Sequence, residues 1–142
     1  MKTAREVMSA DVEFASPAQN VREAARKMDE LDVGMLPVCG PGKELVGTIT
    51  DRDLALKVIG KGLDPETTNV EQVYTQGEVV TIGADDSIEE AANTMERYAV
   101  RRLPVIDGKQ VIGMVSQGDV AMKGDVRQAG EAVKGISEAR PD

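Results

Sequence analysis

A chain of 142 residues suffices for one compact core or for two small halves sharing one, and its 41% apolar content supports a folded interior. One Phe, two Tyr and no Trp make that interior aliphatic, and a net charge of −8 disfavours nucleic acid and anionic membrane surfaces as partners. No histidine and a single cysteine, Cys39, exclude a zinc-type ligand set and an internal disulfide.

The elements follow in chain order. Thr3 with Glu6 has the spacing of a capping box and predicts a short opening helix. Val12–Ala15 is a short β candidate. Val21, Ala24, Ala25, Met28 and Leu31 fall on one helical face, opened by Asn20 with Glu23. Strands at Leu36–Cys39 and Glu44–Thr50 are joined by the turn Gly40-Pro41-Gly42-Lys43, and a helix over Asp51–Ile59 closes the half. The series then repeats. Asn69 with Gln72 opens a short helix, and Val79–Ile82 is a β candidate. Ser87 with Glu90 opens a helix carrying Ile88, Ala91, Ala92, Met95 and Tyr98. Strands at Leu103–Ile106 and Gln110–Ser116 flank the turn Asp107-Gly108-Lys109, and Gln117–Lys123 is the last helix.

The repetition extends to residues. Val21-Arg-Glu-Ala24-Ala25-Arg-Lys-Met28 returns as Ile88-Glu-Glu-Ala91-Ala92-Asn-Thr-Met95, and Leu36-Pro37-Val38 as Leu103-Pro104-Val105. The chain therefore reads as an α+β duplication, with repeat 1 over 1–62, repeat 2 over 63–123 and a tail over 124–142 that is a weak helix or orders against a partner. Paired halves create clefts, and clefts bind small ligands.

Two signals carry chemistry. The first is the strand-to-helix corner, Gly47-Thr-Ile-Thr50-Asp-Arg-Asp53 and Gly113-Met-Val-Ser116-Gln-Gly-Asp119. Thr50 and Ser116 serve as helix caps and Asp53 and Asp119 as first-turn charges on one reading; on the other, the Asp clamps the two hydroxyls of a ribose. The readings are compatible, because a helix start also attracts anions. The second signal is an asymmetry: Arg101-Arg102 stands where the first half has Gly34-Met35. Arginine suits phosphate, and in so acidic a chain it equally suits surface carboxylates. The spread methionines read as core filler, Cys39 as a buried small residue, and the Asp51/Asp53 pair diverges too far around a helix start to favour a metal.

With its Leu-Pro-Val approach, Gly-hydrophobic-hydrophobic-Thr/Ser-x-x-Asp corner and double occurrence, the sequence resembles a tandem CBS-domain pair, or Bateman module, over about residues 3–123. Thr3-Ala-Arg-Glu-Val-Met8, Gly62-Leu-Asp-Pro65 and Val100-Arg-Arg-Leu-Pro-Val105 further resemble small stand-alone actinobacterial proteins of the hypoxic-response type. The resemblance implies two repeats packed sheet to sheet about a pseudo-twofold axis, each cleft shared between halves. It implies one site from Thr50, Asp53, Thr81, Ile82, Val100, Arg101 and Arg102, and a second, weaker one from Ser116, Asp119, Phe14, Ala15, Gly34 and Met35.

The expected function is regulatory and non-enzymatic: an adenosine-containing ligand such as AMP, ADP, ATP or S-adenosylmethionine is sensed, and occupancy is passed to an unknown protein partner or to a homodimer. No catalytic residue, metal or required cofactor is expected, since no nucleophile–base pair is evident. The alternative is a dimeric interaction scaffold of the same fold without nucleotide binding. No apolar run approaches a membrane span and no signal-type segment is evident, so the cytoplasm is the expected location.

Overall fold

The computed structural model describes residues 2–77 and 79–123; the tail over 124–142 lies outside the described residues. The chain divides into two compact units, one over Glu13–Val79 and the other joining Met1–Val12 to the residues from Val80 onward.

In the Glu13–Val79 unit, helix α2 (Val21–Leu31) buries Val21, Ala24 and Met28 along one stripe. The Asn20 side chain accepts from the Glu23 N–H at 2.9 Å. Glu23 does not complete an expected reciprocal box; its carboxylate accepts from the Gln19 side chain at 3.2 Å. The helix stops at Asp32, which takes the left-handed conformation at φ 54°. Strand β1 (Met35–Cys39) then pairs antiparallel with β2 (Leu45–Thr50), Leu36 opposite Ile49. Both side chains are fully buried, each stabilising the unit by about 2 kcal/mol. Between the strands the Glu44 carboxylate lies over Gly40 and Gly42, positions where a Cβ would displace it.

After β2 the chain turns directly into α3 (Asp51–Asp53) and continues as a π-helix over Leu54–Ile59, whose wider turn closes with the Gly60 N–H on the Ala55 carbonyl at 2.8 Å. The helix expected over Asp51–Ile59 is present, with that change of winding. A 3₁₀ turn at Val70–Gln72 replaces the expected short helix, and the two-residue strand β3 (Thr75–Gln76) pairs with Gly47 and Thr48 of β2. The β candidate at Val12–Ala15 reduces to one parallel bridge, Ala15 to Val38. Only Ala15 of that segment is buried, so no second residue is held against the sheet.

The other unit repeats this plan. Helix α1 (Ala4–Val7) opens with the Thr3 N–H and hydroxyl both donating to the Glu6 carboxylate, at 3.4 and 3.2 Å. Strand β4 (Ile82–Gly83), shorter than the expected Val79–Ile82, pairs parallel with β5 (Arg102–Asp107), which pairs antiparallel with β6 (Gln110–Ser116). Helix α4 (Ile88–Tyr98) buries Ile88, Ala91, Ala92 and Met95, capped by Ser87, whose hydroxyl accepts from the Glu90 N–H at 3.1 Å. Helix α5 (Gln117–Lys123) follows β6 without a break.

The packing units cut across the sequence repeats. The lead-in of repeat 1 supplies Ala4 and Val7 to the core built from repeat 2, and the lead-in of repeat 2 supplies Val70 and Val73 to the core built from repeat 1. Each lead-in ends against a glycine of the strand it crosses: Tyr74 and Thr75 occupy the space beside Gly47, and Met8 and Ser9 that beside Gly113. What the motif glycine admits is the chain's own lead-in.

Candidate functional site

At the first corner, Thr50 is the last extended residue of β2, and its hydroxyl oxygen accepts from the Asp53 N–H at 3.0 Å while Asp53 Oδ2 accepts from the Thr50 N–H at 3.0 Å. The capping reading of this motif therefore holds. Two further donors reach the same carboxylate. Lys57 Nζ stands 3.0 Å from Oδ1, and the Thr75 hydroxyl lies 3.2 Å from Oδ1 and 3.4 Å from Oδ2. Lys57 also donates to the Val73 carbonyl at 3.1 Å. Asp53 is only 7% exposed. Burial by itself pushes its carboxyl up, but the Lys57 ammonium and the Thr50 N–H and hydroxyl outweigh that, and the net direction is downward. Asp53 is a charged carboxylate filled from its own unit.

Lys57 and Thr75 were not singled out from the sequence. Lys57 had a readable signal, four residues after Asp53 on a helix. Thr75 is reached only through the crossing of the lead-in, for which the repeat pattern offers no local mark.

At the second corner the box recurs: the Ser116 hydroxyl oxygen accepts from the Asp119 N–H at 3.1 Å, and Asp119 Oδ2 accepts from the Ser116 N–H at 2.8 Å. The strand register adds a neighbour. Arg102 is the cross-strand partner of Ser116, which sets the two side chains on one face within reach of each other. The Arg101 carbonyl accepts the Gln117 N–H at 2.9 Å, as the Gly34 carbonyl accepts that of Asp51 in the other unit. Both arginines are exposed, and among the described residues neither forms an ion pair. The carboxylate-pairing alternative for them thus finds no partner there.

The remaining residues fall into the same two groups. Phe14, Ala15, Gly34 and Met35 share a unit with Thr50 and Asp53, Met35 directly opposite Thr50. Ala15 is buried against Val38, and the Phe14 carbonyl accepts from Lys27 at 3.0 Å. Thr81, Ile82, Val100, Arg101 and Arg102 share a unit with Ser116 and Asp119, Ile82 being buried opposite Val105.

A family model for the CBS domain matches residues 4–60 and 70–123. The chain is 38% identical over 121 residues to Hypoxic response protein 1 of Mycobacterium tuberculosis, covering 85% of this chain and 84% of that one. A crystal structure of Hypoxic Response Protein I with two coordinated zinc ions superposes with a TM-score of 0.75 at 36% identity, covering 87% and 100% of the two chains. The CBS domain pair of protein MJ0100, in complex with 5′-methylthioadenosine and S-adenosyl-L-methionine, superposes with a TM-score of 0.68 at 24% identity over 86% and 94%, a likeness of fold.

Among the described residues no ligand set fits zinc of the kind coordinated in that Hypoxic Response Protein I structure. The chain has no histidine, and Cys39 is fully buried with its thiol pushed up to about 11 by burial and then by the Glu44 charge. Among the described residues no group of three or more His, Cys, Asp or Glu side chains is placed to hold a metal. Nor is any described helix long and apolar enough to cross a membrane.

Proposed function

The chain belongs to the CBS-domain family, and from that premise we propose that it is a regulatory, non-catalytic module that binds an adenosine-containing ligand and passes occupancy to a partner protein or to its own homodimer. The observation that carries this reading is the second corner. Arg102 lies directly opposite Ser116 in the strand register with Arg101 next to it in sequence, and these two exposed arginines form no ion pair among the described residues of an otherwise acidic chain. A ribose diol suits the carboxylate and a phosphate suits the arginines. The adenosine ligands of MJ0100, and the stress setting in the name of the mycobacterial relative, support the same class of ligand and role.

The strand register supports a different assignment for one part of the site. The resemblance placed the arginines with Thr50 and Asp53 from the other repeat; we assign them to the Ser116–Asp119 corner of their own unit, with Phe14, Ala15, Gly34 and Met35 as the proposed contribution of repeat 1. Thr81, Ile82 and Val100 remain the proposed companions of Thr50 and Asp53. The cytoplasm is the proposed location.

Calorimetric titration of AMP, ADP, ATP and S-adenosylmethionine against wild type and a Arg101→Gln/Arg102→Gln variant tests this. Loss of charge-assisted bonds weakens phosphate ligands tenfold to hundredfold, about 1.5–3 kcal/mol, and leaves S-adenosylmethionine, which has no phosphate, within about twofold. Equal effects on all four ligands would remove the arginines from the phosphate position.

The alternative of a dimeric scaffold without nucleotide has one observation in its favour, the filled carboxylate of Asp53. It predicts no thermal shift with any of the four ligands and a stable dimer in light scattering.

A further inference from the structure

Asp53 Oδ1 takes Lys57 Nζ at 3.0 Å and the Thr75 hydroxyl at 3.2 Å, and Oδ2 takes the Thr50 N–H at 3.0 Å. With Thr75 also 3.4 Å from Oδ2, the roughly four acceptor sites of an ionised carboxylate are nearly all engaged. The three donors differ in what holds them. The Thr50 N–H is fixed by the helix start. Lys57 comes from the π-helix with a side chain 39% exposed, and Thr75 lies on the exposed two-residue strand β3. These two can leave without unmaking the corner.

Lys57 and Thr75 grip the same stretch of chain. Lys57 bridges Asp53 to the Val73 carbonyl, and Thr75 ties β3 to Asp53. Besides that clasp, β3 is held by its pairing with Gly47 and Thr48. Just after it, past Gly77 at φ 111°, the chain passes from one compact unit to the other between Val79 and Val80. The stretch pinned by the clasp therefore lies just before one of the two points at which the chain passes between the units.

We propose that Lys57 and Thr75 form an internal clasp on Asp53, which a ribose-bearing ligand displaces, loosening Val73–Gln76, the stretch that leads into the passage of the chain at Val79/Val80. The proposal rests on the adenosine-binding reading and adds its regulation. Ligand hydroxyls and the clasp compete for one carboxylate, so the clasp reduces apparent affinity by the fraction of molecules in which it is closed. It also converts binding into release of a defined segment, through the difference in ligand affinity between its open and closed states. Ser9 and Lys123 occupy the sequence positions equivalent to Thr75 and Lys57 around Asp119, so the ingredients were duplicated with the corner.

The test uses Lys57→Met and Thr75→Val, with 5′-methylthioadenosine as probe because it has no phosphate for Lys57 to bind. Amide hydrogen exchange and calorimetry are read on the full chain. Without ligand, both variants should exchange the Val73–Gln76 amides on the order of tenfold faster than wild type. Saturating probe should speed the same amides in wild type, where a ligand that merely rigidifies would slow them. Both variants should bind the probe several-fold tighter, on the order of the closed-to-open ratio removed. A probe that binds while leaving these amides unchanged or slower, or variants that bind no tighter, overturns the clasp alone. No binding to wild type or either variant overturns the clasp together with the adenosine reading, and the two failures are thereby distinguished.

Discussion

Asp53 shows how one carboxylate serves the fold before any ligand arrives. Its neighbours hold the folded carboxyl below its ordinary value, so as pH falls toward about 3.9 the unfolded chain takes up the proton first. The resulting stabilisation is fully present above that value and is lost as pH falls through the lower folded value. Asp53→Asn should cost about 2 kcal/mol at neutral pH, and in urea melts its deficit should stay level from about pH 7 to 5 and shrink below about 4; a deficit that grows on acidification would contradict the charged-carboxylate assignment. Cys39, buried and raised to about 11, should resist thiol reagents at neutral pH in the native state and react at once on unfolding, as mass spectrometry would record. The two motif glycines differ in what a methyl group would strike. At Gly47 it meets the Thr75 carbonyl and the Tyr74 ring, whereas at Gly113 it first meets the flexible end of Met8, with the Ser9 carbonyl at 3.0 Å. Gly47→Ala should therefore cost about 2–3 kcal/mol in denaturant melts and Gly113→Ala distinctly less.

Among the elements, those with a strong local signal were legible in the sequence. Helices α2 and α4 carry an apolar stripe and a cap, and both appear with the expected start at Val21 and Ile88. The hairpins β1–β2 and β5–β6 were legible from paired apolar runs around a turn. The lead-ins were legible as short capped turns, from Thr3 with Glu6 and Asn69 with Gln72, but not in their placement. Val7 and Val73 mark apolar faces, but periodicity cannot say which core covers a face, and each covers the core built from the other repeat. Strand β3 is too short to leave a pattern, and Val12–Ala15 has the composition of a strand with a single residue to bury. The site was legible to the same extent: the Thr50–Asp53 and Ser116–Asp119 boxes could be read from spacing, the clasp on Asp53 only from packing. If the lead-ins belong to the cores as placed, Val7→Ala and Val73→Ala should each cost about 2 kcal/mol, while Glu71→Ala, exposed two residues before Val73, should cost about 0.5 kcal/mol or less. Equal small effects for all three in urea denaturation would argue that the lead-ins are peripheral.

For the molecule as a whole, duplication built two similar units and left their corners unequal. One carries a carboxylate satisfied by Lys57 and Thr75; the other has a second capped aspartate, with the exposed Arg102 opposite its capping Ser116. The most direct test of this account is calorimetric titration of AMP into wild type and Asp119→Asn, a substitution that keeps an oxygen for the Ser116 N–H and so spares the helix cap. The account predicts saturable binding to wild type, and a tenfold to hundredfold weakening in the variant from the loss of a charged acceptor. AMP binding of unchanged affinity in Asp119→Asn, or no binding of AMP to the wild-type chain, would contradict it.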